Sequence, residues 1–435
     1  MNRRAAVGWS WGRGRIPKRF LLWCRSTAGN YGPRGWQDAV RRYAGPLAML
    51  LCGLAAAALL RHAFVHALGN SHDNDWGPAR ALLHGLDPYR LYLSCLACTK
   101  PAFVPAVAPM YPASGLILLW PFAVLPWPVA RAAWAVLNLL FGAGLVLLLH
   151  RLFPAEGPWR SLALAFIALF AGAPFLTNLA IGQHAVFALG WFVVALWADR
   201  RGNAALAAAS LAAAWFKYTL TFPLSLIFLV RGRWALLLGA LAIHVGLTGF
   251  AAVWTGSSPL DLLLGPLRVV HAVHRAGHLD VFGLAMRLGL TPKLLPIAAA
   301  SALTLAVLLA ARRSRPRDDL ALLCLLSLFA YAVVYHLAYD LVVLVIPLFY
   351  VLHRMPAWRE LQGLERAWSV MLAVLLTWTW FIDSPVQMMK AQHIGWVVRA
   401  YPFYYAATAA WFYATTAVGI LTVGDWFGKS ARISP

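Results

Sequence analysis

The sequence predicts an all-α membrane protein that crosses the bilayer about twelve times. Of its 435 residues 61% are hydrophobic and only 12% are charged, whereas a soluble globular chain carries about 25% charged residues. Apolar runs recur from residue 45 to residue 424, and a helix needs about 20 apolar residues to cross a hydrocarbon core. One soluble core has no room for so many apolar runs, so a soluble fold is excluded.

The strong positive charge of the chain is explained by membrane orientation. The formal net charge is +22, and the excess lies in short loops between apolar runs, as the positive-inside rule describes. We therefore predict no nucleic-acid partner. Residues 1–43 hold ten Lys or Arg and a single acid, Asp38, and are predicted to form a basic cytosolic tail that rests on anionic membrane lipids.

The cations also assign sides to the loops. Inner loops are predicted at 199–202, 231–233, 312–317 and 353–366, with a cytosolic tail at 426–435. Residues 44–425 form one transmembrane domain between the two tails. Its predicted outer segments are a first loop at 68–113, a second large loop at 255–290, the stretch 383–400, and turns near 182, 217 and 338.

The apolar stretch 114–126 is predicted to be an embedded or re-entrant helix on the outer side. Its 13 residues reach about 20 Å, against a core of about 30 Å, and counting it as a span would invert every later loop. Both termini are then cytosolic. The predicted passes are 45–67, 129–150, 161–181, 184–199, 204–216, 218–230, 234–254, 294–311, 320–337, 340–354, 366–382 and 404–424, of which 204–216 and 218–230 are short enough to form a helical hairpin instead.

Three carboxylates in the first outer loop require an explanation, because charge beside a bilayer is costly unless it is hydrated or paired. Asp87 precedes Pro88, which favours a turn or cap. Asp73 or Asp75 is placed to cap a helix over 79–84. The alternative for Asp75 is a general base that deprotonates an acceptor hydroxyl at the aqueous edge.

Other polar positions on the same side also have two interpretations. Gln183 and His184 either bond sugar hydroxyls or satisfy a helix end. Lys217 either snorkels to the interface or neutralises a lipid phosphate. In residues 335–340, Tyr335 and Tyr339 are i, i+4 neighbours, as are His336 and Asp340, so each pair would share a helix face. The segment is either an interfacial aromatic belt with a satisfied His–Asp pair or a polar cluster that faces a cavity.

The second large loop carries Arg268, His271, His274, Arg275 and His278, which form either a solvated interfacial helix or a surface facing phosphate.

Among the five cysteines, Cys95 and Cys98 are predicted to form a local disulfide, and Cys24, Cys52 and Cys324 to be buried apolar residues. We predict neither a metal site nor a cofactor, because no acidic metal cluster is visible.

Several motifs occur in the order found in glycosyltransferase family 87, which this chain resembles over about residues 70–350. They are the pair 75–76, the run 81–89, the pair 111–112, the run 119–126, Trp134, Asn138, the pair 182–183, Lys217, the loop 231–233 and the run 335–340. The resemblance implies a fold of the GT-C type, a polyprenyl-phosphate sugar donor, mannose foremost, and inversion at the anomeric carbon. It also implies a lipid or glycan acceptor, and an active site on the periplasmic side of the bacterial inner membrane.

The resemblance makes Asp75 the catalytic base, with Asp73 as its rival. The candidate substrate-binding residues are Asp73, Arg80, Tyr89, Tyr111, Gln183, His184, Lys217, Arg268, His271, Arg275, Tyr335, His336 and Asp340. Two alternatives stay open. The hypothesis of a transporter or flippase predicts ionisable residues within several spans, and His244 is the main example. An acyl- or phosphotransferase would use a His–Asp pair such as His336 and Asp340.

Overall fold

The fold is taken from a computed structural model. It describes residues 33–71, 75–94, 108–154, 158–273, 279–289, 294–314, 319–383, 386, 389–390 and 392–425, with side chains from residue 43 onward. The regular structure of these residues is helical, and they include no strand, which confirms the all-α prediction. The chain divides into two compact units, Met1–Ala55 and Ala56–Pro435. The first contributes only the beginning of one helix to the described residues, and the candidate site lies in the second.

The helices of the first part of the chain are α1 Pro33–Asn70, α2 Trp76–Leu83, α3 Pro88–Ser94, α4 Ala113–Leu118, α5 Trp120–Ala123, α6 Trp127–Leu152, α7 Pro158–Ala171, α8 Ala173–Ile181, α9 Ala185–Arg200 and α10 Ala204–Ala214. A 3-10 turn, Trp215–Lys217, follows α10. The later helices are α11 Tyr218–Leu224, α12 Leu226–Val230, α13 Trp234–Thr255, α14 Pro259–Val273, α15 Val281–Arg287, α16 Leu294–Arg313, α17 Asp319–Val333, α18 Val345–Arg354, α19 Gly363–Thr377 and α20 Gly395–Val423. A 3-10 helix, Ala338–Leu344, precedes α18, and a π-helical turn, Trp378–Ile382, follows α19.

Five described helices are long and apolar enough to cross a membrane: Tyr43–Asn70 within α1, and α6, α13, α16 and α20. The pair α7 and α8, bent by 53°, is a sixth candidate if it counts as one span. The predicted count of twelve passes is therefore not confirmed. The other predicted passes are shorter helices, and the longest of them, α9 with 16 residues, reaches about 24 Å.

Two sequence predictions about short segments agree with the helices. The stretch 114–126 is broken into α4 and α5, of six and four residues, so neither crosses a membrane. Residues 204–230 form an 11-residue helix, a 3-10 turn and two helices of seven and five residues, as expected for a short hairpin and not for two full spans.

The basic loops meet at one end of the structure. Asp319, at the start of α17, pairs with Arg231 at 3.0 Å and with Arg200 at 3.4 Å. Arg233 pairs with Asp199 at 3.3 Å. The loops 199–202 and 231–233, predicted to share one side, therefore lie together.

The carboxylate-bearing segment lies at the opposite end of α13. Arg233 precedes this 22-residue helix, which is about 33 Å long. At its other end, the Trp254 indole N–H donates to Leu82 O at 3.0 Å and the Ser257 hydroxyl donates to Asp87 at 3.2 Å. The two predicted outer loops thus contact each other, about one bilayer thickness away from the basic loops.

Two buried clusters make the core. The larger centres on α17, whose residues 320–332 are all buried; a helix that is apolar all round belongs inside a bundle. The smaller joins α2–α5 to α13 and α14 through residues such as Leu82, Leu116 and Leu262. Phe187 and Phe216 belong to the smaller cluster, while their chain neighbours Val186 and Trp215 belong to the larger, so the two meet along α9 and the 3-10 turn.

The predicted orientation is tested by cysteine accessibility. In a chain without its own cysteines, Ser258→Cys should react with an impermeant maleimide in intact cells, whereas Ala204→Cys should react only after lysis. Both positions are exposed, and Ser258 is preferable to the neighbouring Gly256, whose φ of 65° strains any side chain. Mass spectrometry of the labelled protein reads the result, and the reverse pattern would invert the topology.

Candidate active site

Asp75 is held in an unusual backbone conformation immediately before α2. Its φ and ψ are 51° and 21°, a left-handed geometry that costs a non-glycine residue about 1–2 kcal/mol. The carboxylate is 2% exposed. The backbone carbonyl of Asp75 accepts from Ala79 N, but its side chain makes no cap bond. The capping interpretation of Asp75 is therefore wrong, and strain with burial of this kind clusters at functional sites.

The imidazole of His184 faces this carboxylate. His184 Nδ1 lies 3.9 Å from Asp75 Oδ2, and both side chains are buried. The distance exceeds a direct hydrogen bond, so the two groups face each other at ion-pair range. The rings of Tyr111, Trp134 and Phe216 pack on the imidazole at centroid distances of 5.2, 4.9 and 4.8 Å.

The turn that presents His184 is fixed by neighbouring groups. Gly182 ends α8 with a φ of 77°, which a glycine adopts without steric cost. The Trp134 indole N–H donates to Gly182 O at 2.9 Å, and Gln183 N donates to Asn178 O at 2.8 Å. The orientation of His184 is thus set by the packing of α6 and α8.

Lys217 points into the protein and not toward the interface. It ends the 3-10 turn after α10, and its Nζ lies 2.7 Å from Asp340 Oδ1 with both side chains 4% exposed. The ammonium also donates to Gln183 Oε1 at 3.3 Å and lies 5.8 and 5.0 Å from the ring centroids of Tyr111 and Tyr339. The snorkelling interpretation of Lys217 is therefore wrong.

Asp340 also binds His336, but not through a shared helix face. Residues 334–337 are not helical, so the predicted i, i+4 geometry is wrong for both pairs in this segment. Asp340 Oδ2 instead caps the 3-10 helix by accepting from Leu337 N, and His336 Nδ1 lies 3.2 Å from the same oxygen. The predicted His336–Asp340 contact is present for a different reason.

The Lys217, Asp340 and His336 side chains form a charged triad. His336 Nε2 lies 3.2 Å from Ala330 O, so both ring nitrogens face oxygen acceptors, and both bonds form together only when the imidazole carries two protons. The triad then has one net positive charge.

Tyr89 and Tyr111 link the carboxylate to the triad. The Tyr89 hydroxyl donates to Tyr111 O. Burial, and then the nearby charges of Asp75 and Asp87, raise the pKa of the Tyr89 phenol well above its usual value, so this hydroxyl stays protonated. Tyr111 in turn contacts both His184 and Lys217 through its ring.

Two candidates of the first loop have structural roles. Arg80 donates to Ala123 O at 3.1 Å and stacks on Trp76, which ties α2 to α5. Asp87 Oδ1 accepts from the backbone N–H groups of Tyr89 and Arg90 at 2.9 and 3.0 Å. The turn or cap interpretation of Asp87 is confirmed.

Of the remaining candidates, Arg268 has an exposed partner on its own helix, and several others lie outside the described residues. Arg268 pairs with Asp261 at 2.9 Å on α14, where both side chains are 51% exposed. His271 is exposed and Tyr335 is half-buried. Asp73, Arg275, His274, His278, Cys24, Cys95 and Cys98 lie outside the described residues. Cys324 is buried as predicted, whereas Cys52 is exposed on α1, because an apolar side chain on such a helix can face lipid.

In the described part of the chain, no group of three or more His, Cys, Asp and Glu side chains is arranged to hold a metal ion.

His244 is a packing residue. Its Nε2 lies 2.8 Å from Ala212 O and its Nδ1 lies 2.6 Å from the Ser114 hydroxyl, and a neutral imidazole makes both bonds. It joins α13 to α10 and α4, so its position within a span does not favour a transport pathway.

Three aromatic side chains of the site, Trp134, Phe216 and Tyr339, were not among the candidate substrate-binding residues. Trp134 and Phe216 enclose His184, and Tyr339 lies beside the Lys217 ammonium. Phe216 also packs against Gly115 of α4, where a Cβ would meet its ring. Trp134 and Tyr339 stand within motifs singled out in the sequence, but sequence spacing does not show which polar groups they contact.

The model of glycosyltransferase family 87 matches residues 110–338 of this chain. The match covers more than half of the sequence and includes Tyr111, Gln183, His184, Lys217 and His336. Asp75 precedes it, and Asp340 follows it by two residues. No curated protein and no solved structure matches the chain.

A double-mutant cycle on the buried ion pair tests the triad. Lys217→Met should lower the free energy of unfolding by about 3–5 kcal/mol, because it leaves Asp340 buried and uncompensated. Lys217→Met combined with Asp340→Leu should cost less than the sum of the single changes. Denaturant unfolding in detergent measures each variant. Arg268→Met, at an exposed pair, is the control and should cost at most about 1 kcal/mol; additive losses at Lys217 and Asp340 would contradict the coupling.

Proposed function

Because this chain belongs to glycosyltransferase family 87, a family of membrane glycosyltransferases, we propose that it moves a hexose, mannose foremost, from a polyprenyl-phosphate donor to a lipid or glycan acceptor. The observation that carries the proposal is Asp75. It is a buried carboxylate in a strained backbone conformation, facing His184 at 3.9 Å. In the described residues, the Tyr111 ring contacts His184 and Lys217, and Lys217 donates to Gln183, so these four candidates lie together.

Asp75 acts in this mechanism as the general base. The acceptor hydroxyl gives its proton to the Asp75 carboxylate while its oxygen forms a bond to the anomeric carbon. The bond from that carbon to the phosphate oxygen breaks at the same time, and its electron pair leaves with the polyprenyl phosphate. Attack from the face opposite the leaving phosphate inverts the anomeric centre. A base of this kind contributes about 10²–10⁴-fold to the rate.

The triad supplies the complementary charge for the leaving group. Negative charge develops on the phosphate as the bond breaks, and fixed cations in a water-poor site stabilise such charge. The net positive charge of Lys217, Asp340 and His336 lies beside Tyr111, whose ring also contacts His184. The rings of His184 and Tyr111 therefore lie between the base and the cationic group.

We place the reaction at the periplasmic face of the bacterial inner membrane, with both termini cytosolic. Three features support this orientation. The basic loops gather at one end of α13, Asp75 and its neighbours gather at the other, and the cations of the loops between spans favour the cytosolic side. A donor with a long polyprenyl tail also requires the bilayer for its own solubility.

The base assignment is tested by Asp75→Asn with Asp87→Asn as its matched control. Asp75→Asn should lower transfer from polyprenyl-phosphate mannose by about 10²–10⁴-fold, because the amide cannot accept the proton. Asp87→Asn removes the same charge in the same loop but keeps a good cap residue, so turnover should stay close to that of the parent. Mass spectrometry of glycosylated acceptors, over a panel of polyprenyl-phosphate sugars, measures both variants in purified protein.

The same assay separates the possible failures. Full turnover of Asp75→Asn would overturn the assignment and direct attention to Asp73. Absence of transfer by the parent from every polyprenyl-phosphate sugar would overturn the donor class, whatever the base. Thermal unfolding of each variant identifies a loss that comes from misfolding.

A further inference from the structure

Two cations lie against neighbouring tyrosines of α20, outside the cluster described above. The Arg287 guanidinium, at the end of α15, lies 4.6 Å from the ring centroid of Tyr405. The Lys390 ammonium lies 3.6 Å from the ring centroid of Tyr401. The two rings are 6.4 Å apart and nearly parallel, at 28°. The tyrosine pair therefore carries two cations on adjacent rings.

Within the described residues, no carboxylate forms an ion pair with either cation. The acids of the adjoining segments have other partners: Asp280 caps α15 by accepting from Gly283 N at 2.8 Å, and Asp383 accepts from the Tyr404 hydroxyl at 2.9 Å. Partial burial, and then the charge of Arg287, lower the pKa of the Lys390 amine. The two cations thus repel each other, and a bound anion would relieve that repulsion.

The surroundings of the pair are apolar and exposed. Met286 and Leu288, on either side of Arg287 in the sequence, are 61% and 63% exposed. In a membrane protein such side chains face lipid tails. A ligand that satisfies both features has an anionic head for the cations and an apolar remainder that lies along these side chains.

Phosphate is the head group that fits the cations best. A guanidinium donates to two oxygens of one phosphate in a bidentate pair, and an ammonium adds a point charge beside them. One arginine and one lysine on adjacent aromatic rings therefore suit the phosphate of an ester.

The helix α15, which ends at Arg287, begins beside the segment that carries the charged triad. The Tyr413 hydroxyl of α20 donates to Leu279 O at 2.8 Å, which places the start of α15 against α20. The next residue, Asp280, is close enough to His336 for the imidazole charge to act on its carboxyl. The N-terminal end of α15, at Asp280, thus borders the segment that carries His336 and Asp340.

We propose that Arg287 and Lys390, with the rings of Tyr401 and Tyr405, bind the phosphate head group of a lipid. Tyr401, Tyr405 and Lys390 lie beyond the segment matched by the family model, so the site extends past that segment into the C-terminal helix. Binding at this site does not depend on sugar transfer. The lipid is either a polyprenyl phosphate or an anionic phospholipid of the bilayer, and the head-group chemistry is shared.

Native mass spectrometry of the full chain in phosphatidylcholine nanodiscs tests the site. The probes are a polyprenyl monophosphate, phosphatidylglycerol, inorganic phosphate and the uncharged polyprenol. Arg287→Gln/Lys390→Gln should weaken binding of a phosphate lipid about 10- to 100-fold, as expected for the loss of two charge-assisted contacts. Arg287→Lys/Lys390→Arg, which keeps both charges, should retain binding and serves as the folding control.

A second control removes two exposed cations elsewhere. Arg90→Gln/Arg312→Gln makes the same change in net charge, and it should leave lipid affinity within about twofold of the parent. Equal loss in this control and in the site variant would show a general charge effect and overturn the site. Unchanged affinity of Arg287→Gln/Lys390→Gln for both phosphate lipids would overturn it directly, as would binding of inorganic phosphate as tight as that of the lipids.

The probes also distinguish the two sources of the lipid. Selective loss of the polyprenyl phosphate assigns the site to the donor or its product, whereas equal loss of both phosphate lipids assigns it to the surrounding bilayer. Either result supports a lipid-phosphate site. No acceptor is present in this experiment, so its outcome is independent of turnover and of the assignment of Asp75.

Discussion

The contact on which the site depends is the buried ion pair between Lys217 and Asp340, at 2.7 Å. Each residue lies in a short 3-10 segment that interrupts apolar helical sequence. Removing two charges from water costs several kcal/mol per ion, which their mutual attraction offsets only with good geometry and further hydrogen bonds. Gln183 and His336 supply those bonds. The pair therefore joins segments that are 123 residues apart in the chain.

Around that pair, the site is built from interruptions of helices. Asp75 stands before α2 in a left-handed conformation, Gly182 ends α8 in another, and residues 334–337 separate α17 from the following 3-10 helix. Non-helical backbone at membrane depth is tolerated only where protein buries it or a cavity borders it. Each interruption turns a polar side chain inward, which explains why so apolar a sequence gathers a carboxylate, an imidazole and an ammonium in one place.

Hydropathy and charge predicted the helical class, the five long helices, the shortness of 114–126 and the grouping of the basic loops, because these follow from the local sequence. They did not predict which shorter apolar runs are complete spans. A run such as 319–333 is equally apolar whether lipid or protein surrounds it, and here protein surrounds it. The prediction of the His336–Asp340 contact assumed a continuous helix, whereas the partner of Lys217 is fixed only by tertiary packing.

The charges of the two cationic groups suggest different tasks. Lys217 is already compensated by Asp340, so in the proposed mechanism the triad carries at most the single net charge that a second proton on His336 would add. A weak, fixed field of this kind suits charge that appears during the reaction, since it does not hold the ground state tightly. Arg287 and Lys390 have no ion-paired carboxylate among the described residues, and two uncompensated charges suit a head group that is charged before and after it reacts. Separating the capture of a lipid phosphate from the stabilisation of its departure would let the product leave without breaking the buried pair that organises the site.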